Sequence, residues 1–114
     1  MATKTLPMIR ERGACCELPV VKPAWAARTA ELMKALADPT RLTMIASLWK
    51  AEGPICICDF TAGMDLSQPT ISHHMARLKD AGLVDSEKRG VWIYYRLSDK
   101  LDATTRKVLG QLVS

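Results

Sequence analysis

The chain lacks any long apolar segment, and this absence excludes one class of protein. Its apolar stretches are a few residues long and are broken by charged residues, whereas a membrane-spanning helix needs about 20 consecutive apolar residues. Residues 1–12 also lack the continuous apolar run of a secretory signal. We therefore expect a cytoplasmic protein with no membrane partner.

Residues that commonly support catalysis are also scarce. The chain has two histidines, His73 and His74, and no glycine-rich phosphate loop among its six glycines. No Ser-His-Asp arrangement can be assigned. Adjacent histidines in a helix point about 100° apart and do not readily share one metal ion. We therefore expect neither an enzyme nor an organic cofactor.

The composition fits one small domain with an anionic partner. The chain has 114 residues, of which 48% are hydrophobic, and its formal net charge is +4. This size gives one domain that gains stability from a partner subunit, and the basic balance favours a polyanion. The four cysteines form two tight pairs, at residues 15–16 and 56–58. In a reducing compartment, clustered thiols indicate metal binding or redox sensing.

The chain divides at about residue 23. Residues 1–23 contain three of the six prolines and show no helical or strand periodicity, which predicts an N-terminal arm carrying one cysteine pair. Residues 24–114 are the predicted folded domain. A first helix is expected from Ala24 to about Ala37, and a second starts at Asp38-Pro39 and stops near Glu52. The apolar positions assigned to these two helices are Trp25, Leu32, Met33 and Leu36, then Leu42, Ile45 and Trp49.

Two further helices, a hairpin and a last helix are predicted after the second helix. A short helix is expected at about 58–64, and a fourth runs from the N-cap Ser67 to about Ala81, with Gly82 as its stop. Segments rich in β-branched and aromatic residues at 83–84 and 91–95 predict a hairpin with a basic tip. A last helix is expected within 101–114. The predicted fold class is mainly α with a small β-hairpin, a winged helix-turn-helix that works as a homodimer.

The fourth helix has one apolar and one polar face. Met75 and Leu78 lie within about 40° of Ile71 on a helical wheel, and all three should face the core. The opposite side carries hydroxyl, imidazole and guanidinium groups, as does a helix lying in the major groove of DNA. The predicted DNA contacts are Ser67, Gln68, Thr70, Ser72, His73 and Arg77 from the helix, and Lys88 and Arg89 from the hairpin tip.

Three segments resemble the landmarks of the ArsR/SmtB family of metal-sensing repressors. The stretch from Leu66 to Leu78, LSQPTISHHMARL, is similar to the recognition-helix signature of this family. Ala35–Leu42, ALADPTRL, and Ala81–Val84, AGLV, are similar to two further segments. The resemblance covers about residues 24–114. It implies a homodimer, formed by the first and last helices, that binds an inverted-repeat operator in double-stranded DNA until an inducer arrives.

The second cysteine pair resembles the inducer site of some members. Cys56-Ile57-Cys58-Asp59 is similar to the Cys-x-Cys-Asp motif that begins the third helix of arsenic- and cadmium-sensing relatives. Thiolates select soft ions over hard cations. Inside one regular helix the two thiols would point about 200° apart, so shared chelation requires Cys56 to precede the helix. A helix N-terminus there is expected to lower a thiol pKa.

Two thiols do not complete such a site. One branch of arsenic sensors uses a third cysteine at the position of Thr61, and this chain therefore departs from that pattern. In other relatives an N-terminal arm, in some cases from the other subunit, supplies the missing thiols, which implies Cys15 and Cys16 here. The expected inducer is arsenic(III) or antimony(III), with cadmium or lead as an alternative and zinc as a distant third. Two alternative hypotheses are a thiol–disulfide redox sensor and a DNA-binding module with no inducer. The C-terminal Asp/His site of the family is expected to be absent, because residues 101–114 contain no histidine.

Overall fold

The computed structural model describes residue 13 and residues 15–113. Residues 1–12, on which the expectation of no secretory signal rests, lie outside the described residues, as do residues 14 and 114. Among the described residues, no helix is both long enough and apolar enough to cross a membrane. Residues 15–22 have no regular secondary structure and lead directly into the first helix.

The first two helices form as the sequence predicts. Helix α1 spans Pro23–Leu36 and α2 spans Pro39–Ala51. The side chain of Asp38 accepts a hydrogen bond from the backbone N–H of Arg41 at 3.0 Å, which makes Asp38 the N-cap of α2. Pro39 occupies the first turn, where a missing N–H removes no helical hydrogen bond. The predicted Asp-Pro start of α2 is therefore confirmed.

A two-residue strand, which was not predicted from the sequence, precedes the third helix. Strand β1 is Ile55–Cys56, and α3 follows at once as Ile57–Met64. Its N-cap is Cys56, which has extended backbone angles. Cys56 thus lies outside the helix while Cys58 lies in the first turn. This is the arrangement that shared use of the two thiols requires.

Helix α4 spans Gln68–Asp80 and is capped by Ser67, whose hydroxyl accepts from the N–H of Thr70 at 3.3 Å. The chain then turns through Gly82, which has a φ of +77°. Strands β2, Val84–Arg89, and β3, Trp92–Leu97, form an antiparallel hairpin, called here the wing. The sheet order is β1-β3-β2, so β1 extends the base of the wing as a third strand.

The core lies where α2, α3, α4 and the sheet converge. The predicted stripe of α4 is confirmed, since Ile71, Met75 and Leu78 are all fully buried. The predicted face of α2 is partly wrong. Ile45 is buried, but Leu42 is 39% exposed, and the buried face is completed by Met44 and Leu48. The helix is turned so that positions 44, 45 and 48 face inward.

Helix α5, Ala103–Val113, packs against α2 and buries Leu109. Its other apolar side chains remain exposed, as do several on α1. The exposed large apolar residues of these two helices are Trp25, Met33, Val108 and Leu112. The single chain therefore leaves uncovered apolar surface on the two helices that the resemblance assigned to a dimer.

Candidate nucleic-acid interface and thiol site

Cys56 and Cys58 form a thiol pair at the start of α3. Their sulfur atoms are 2.8 Å apart, with the Cys58 thiol donating to Cys56. Cys56 is buried at 5% exposure, whereas Cys58 is exposed. The pairing is possible because β1 holds Cys56 in register with Tyr94 of the wing, while α3 begins one residue later. One thiol is thus anchored and its neighbour faces solvent.

The local environment raises the pKa of the Cys58 thiol. The largest cause is the hydrogen bond to Cys56, followed by partial desolvation and the charges of Cys56 and Asp59. A backbone hydrogen bond at the helix start acts in the opposite direction but is weaker. The expectation that the helix N-terminus lowers a thiol pKa is therefore wrong for Cys58. A proton shared between two sulfurs stabilises the neutral pair more than the first turn of a short helix stabilises a thiolate.

The second cysteine pair is separate from the first in the single chain. Cys15 and Cys16 are both exposed and lie in the segment without regular structure before α1. Within residues 15–113, no three or more Cys, His, Asp or Glu side chains lie close enough to hold one metal ion. The structure therefore brings two of the four predicted ligands together and leaves the other two on the arm.

The outward face of α4 presents most of the side chains predicted to contact DNA. Ser67, Gln68, His73 and Arg77 are exposed. Thr70 is half-buried and shares a 2.8 Å hydrogen bond with the Ser67 hydroxyl, so these two polar groups are joined at the helix start. No ion pair to another described residue is made by Arg77, and its guanidinium remains available to an acceptor outside the chain.

Two residues of α4 instead have partners inside the protein. Ser72 is half-buried and hydrogen-bonded to the Tyr95 hydroxyl, which makes it part of the contact between α4 and the wing. His74 lies 3.9 Å from Asp38 and 3.4 Å from the Arg41 guanidinium. These contacts give His74 a structural role between α2 and α4. Of the adjacent histidines, only His73 lies on the exposed face.

Arg41 is a positioning residue that the sequence analysis missed. Its Nε donates to the carbonyl oxygen of Ala35 at 2.6 Å, and its Nη1 reaches Nδ1 of His74. One side chain thus joins the C-terminal turn of α1 to α4. Arg41 belongs to the Asp-Pro-Thr-Arg segment that the sequence analysis singled out as the start of α2. Its contacts with α1 and α4 depend on how these helices pack against α2, which the local sequence does not reveal.

The tip of the wing carries two basic residues in different environments. Arg89 donates to Glu87 at 3.1 Å, and its guanidinium lies over the Tyr94 ring, 5.2 Å from the ring centre. Lys88 is exposed and makes no ion pair or hydrogen bond with another described side chain. Since successive residues of a strand point to opposite faces, the two cations project from opposite sides of the wing.

Known proteins resemble this chain in sequence and in fold. The sequence profile described as bacterial regulatory protein, arsR family, matches residues 38–86. The arsenical resistance operon repressor of Escherichia coli K12 is 41% identical over 81 residues, which cover 71% of this chain and 68% of that protein. This chain belongs to the ArsR family. It is a regulator with a DNA-binding winged helix fold, and not an enzyme.

Two further relatives bear on the ArsR-family site and assembly. A homologue of the cadmium resistance regulatory protein CadC from Staphylococcus aureus is 39% identical over 71 residues, 62% of this chain and 58% of that protein. The homodimeric winged helix-turn-helix DNA-binding domain of a possible ArsR-family regulator from Mycobacterium bovis has a TM-score of 0.66 at 25% identity. That comparison covers 78% of each chain. The family match includes α2, α3, α4 and the start of the wing, and therefore both the thiol pair and the outward face of α4.

Proposed function

We propose that this ArsR-family chain is a cytoplasmic transcriptional repressor that binds operator DNA as a homodimer and releases it when arsenic(III) or antimony(III) binds its cysteine thiolates. The observation that carries the inducer assignment is the 2.8 Å contact between the sulfurs of Cys56 and Cys58. The thiol pair begins α3, and α3 packs against α4, whose outward face is proposed to read DNA. The helix that begins with the proposed ion site is thus packed directly against the helix proposed to contact DNA bases.

The exposed apolar stripes of α1 and α5 support the homodimer. Two-fold symmetry pairs identical surfaces, so each stripe is covered by its counterpart. It also places two copies of α4 about one DNA turn apart, roughly 34–36 Å, on an inverted repeat. The proposed base contacts come from Gln68, Thr70, His73 and Arg77, with Ser67 at the helix start. Ser72 contributes indirectly, through its bond to Tyr95.

The thiol pair fits a soft ion by chemistry and by position. In a tetrahedral zinc site, where the metal–sulfur bonds are about 2.3 Å, two thiolate sulfurs are roughly 3.8 Å apart, so for that geometry the pair would open by about 1 Å. Cys58 is exposed, and its side chain can make this adjustment. Thiol ligands must lose their protons to bind an ion. The raised pKa keeps the Cys58 thiol protonated in the free protein, so ion binding releases that proton.

Two sulfurs leave a three- or four-coordinate ion incomplete. The remaining cysteines are Cys15 and Cys16, and both are exposed on a segment free of regular structure. We propose that this arm moves onto the thiol pair, from the same subunit or from its partner. Closing the arm on α3 shifts α3 against α4, and the spacing of the two α4 helices then no longer matches the operator. A typical coupling of about 1–3 kcal/mol weakens operator binding about five- to 150-fold.

The test separates the sensor from the DNA-binding surface. Fully reduced parent protein is titrated on fluorescent operator DNA with arsenite, antimonite, cadmium, lead and zinc in parallel. The double variants C15S/C16S and C56S/C58S should bind the operator as the parent does but should not release it. T61S, a conservative change next to the site, is the matched control and should release normally. If C15S/C16S releases DNA at the parent's arsenite concentration, the arm is not part of the sensor.

A disulfide sensor is the second candidate, and the same 2.8 Å contact favours it. Oxidation by hydrogen peroxide would remove two thiol protons and two electrons and join the two sulfurs, with the peroxide reduced to two water molecules. Release by peroxide in the absence of any ion, reversed by dithiothreitol, would identify this mode. Release by cadmium but not arsenite would instead place the chain with cadmium-responsive relatives.

A further inference from the structure

The wing exposes apolar surface that the proposed dimer does not account for. Val91 is 84% exposed and Trp92 is 51% exposed, and both lie at the tip of the β2–β3 hairpin. The dimer stripes lie on α1 and α5, which are different elements. A half-exposed indole beside a basic turn offers the amphipathic surface that is enriched at contacts with other molecules.

The neighbours of Trp92 identify the chemistry of that molecule. Arg89 is its cross-strand partner, so both side chains project from the same face of the wing. Lys88 is exposed on the opposite face, and Gly90 at the turn has a φ of +63° that allows a tight tip without a side chain. Apolar surface at the centre of a narrow basic tip is complementary to the minor groove, where phosphates flank apolar deoxyribose walls.

The wing is also joined to the helix proposed to read bases. Lys79 of α4 donates to Ser86 of β2 at 2.8 Å, and Ser72 contacts Tyr95 of β3. The wing base therefore keeps a defined position relative to α4. A minor groove is about 6 Å wide, so a hairpin tip that enters one would be contacted on both faces.

We propose that Trp92, supported by Val91, packs against the deoxyribose wall of the operator minor groove and supplies an apolar, salt-independent part of DNA affinity. This inference rests on the proposed function. Arg89, held by Glu87 and Tyr94, meets phosphate on the same side as the indole, and Lys88 meets the opposite strand. Trp92 thus adds contact area, while the two cations add charge neutralisation.

The experiment measures affinity as a function of salt. The probe is a duplex selected by the parent protein from a random-sequence pool, with an unselected duplex for comparison. W92A should lose affinity by about tenfold at every salt concentration, leaving the slope of log affinity against log salt unchanged. W92F should retain most of the affinity. K88A is the matched contrast, because loss of a phosphate contact should lower the slope by about one.

A spectroscopic readout keeps the test independent of variant stability. The chain has three tryptophans, and 5-fluorotryptophan labelling gives each a 19F signal, assigned with W25F and W92F. Adding the selected duplex should shift the 19F signal of Trp92 and protect this residue from solvent. The signal of Trp49, a residue of α2 whose ring contacts α5, should stay unchanged. A silent Trp92 signal in a protein that binds the duplex would overturn this inference alone. A parent protein that binds no duplex would overturn the proposed function and this inference together.

Discussion

Gly110 of α5 lies in direct contact with the indole of Trp49 on α2. A Cβ atom at Gly110 would lie 2.9 Å from Cζ2 and 3.2 Å from Cη2 of that ring. Glycine in a helix interior costs about 1 kcal/mol relative to alanine, so this position carries a local penalty. The close approach it permits holds the last helix on the domain, and through α5 it also positions the proposed dimer surface.

Replacing Gly110 by alanine should therefore destabilise the protein in spite of the better helix former. We expect a net loss of about 1–3 kcal/mol from overpacking against the ring, measured by urea denaturation. Gly63 in α3 is the matched control, since a Cβ there meets nothing within 4 Å. G63A should gain about 0.4–1 kcal/mol. In a W49L background the cost of G110A should largely disappear, and a full cost there would show that the contact is not its cause.

The dimer surface can be tested by placing charge on both apolar stripes. Met33 on α1 and Leu112 on α5 are 64% and 61% exposed in the single chain. The variant M33E/L112E should fold normally but sediment as a monomer at micromolar concentration, because burying four carboxylates in a symmetric interface is costly. T104E, also on α5, should remain a dimer. A parent protein that is itself monomeric would refute the proposed assembly.

The outward face of α4 makes a separate prediction about sequence recognition. Arg77→Ala should cost about 1–3 kcal/mol of operator affinity and relax the preference at one base pair. The double variant Q68A/R77A should bind selected and unselected duplexes almost equally, because phosphate contacts remain while base contacts are lost. Electrophoretic mobility shifts at fixed salt measure both. Unchanged operator affinity in the double variant would contradict the assignment of α4.

The ion pair on the wing should restrain DNA binding. Glu87 occupies Arg89 at 3.1 Å and places a negative charge next to the proposed phosphate contacts. Glu87→Gln removes that charge while keeping a hydrogen-bond acceptor for Arg89. We expect tighter binding to every duplex and a steeper salt dependence, measured by fluorescence anisotropy from 50 to 200 mM salt, a range over which phosphate contacts change affinity strongly. Weaker binding would mean that Glu87 is needed to hold Arg89 in its binding position.

Two helix caps predict how stability depends on pH. Backbone hydrogen bonds lower the pKa of Asp38 at the start of α2 and of Asp102, which accepts from the N–H of Thr105 at 2.7 Å. A carboxyl with a lowered folded pKa contributes stability that is present above its unfolded pKa and is lost as the pH falls through the folded pKa. The melting temperature should thus decline in acid below the usual Asp range. D38N/D102N keeps cap acceptors that do not titrate, so its decline should be shallower.

Much of this structure was predictable because its signals are local. The Asp-Pro start of α2, the Ser67 cap, the apolar stripe of α4 and the Gly82 stop each depend on residues within one or two turns. The face of α2 was less predictable, because its apolar residues satisfy more than one helical stripe. Packing against α4, α5 and β3 selected Met44 and Leu48 over Leu42. Strand β1 is only two residues long and exists through its pairing with β3, which no local pattern encodes.

The sequence by itself determined the chemistry available to the protein: two thiol pairs, a polar helix face and a basic hairpin tip. The tertiary structure decided which of these groups meet. Pairing of β1 with β3 holds Cys56 outside α3 and brings its sulfur to that of Cys58. Because of this contact the pKa of Cys58 is raised, whereas a helix N-terminus alone was expected to lower it. In the same way, Ser72 is turned toward Tyr95, and Arg89 is held by Glu87. Such outcomes depend on distances between segments far apart in the chain, and those distances are set by the packing of the core.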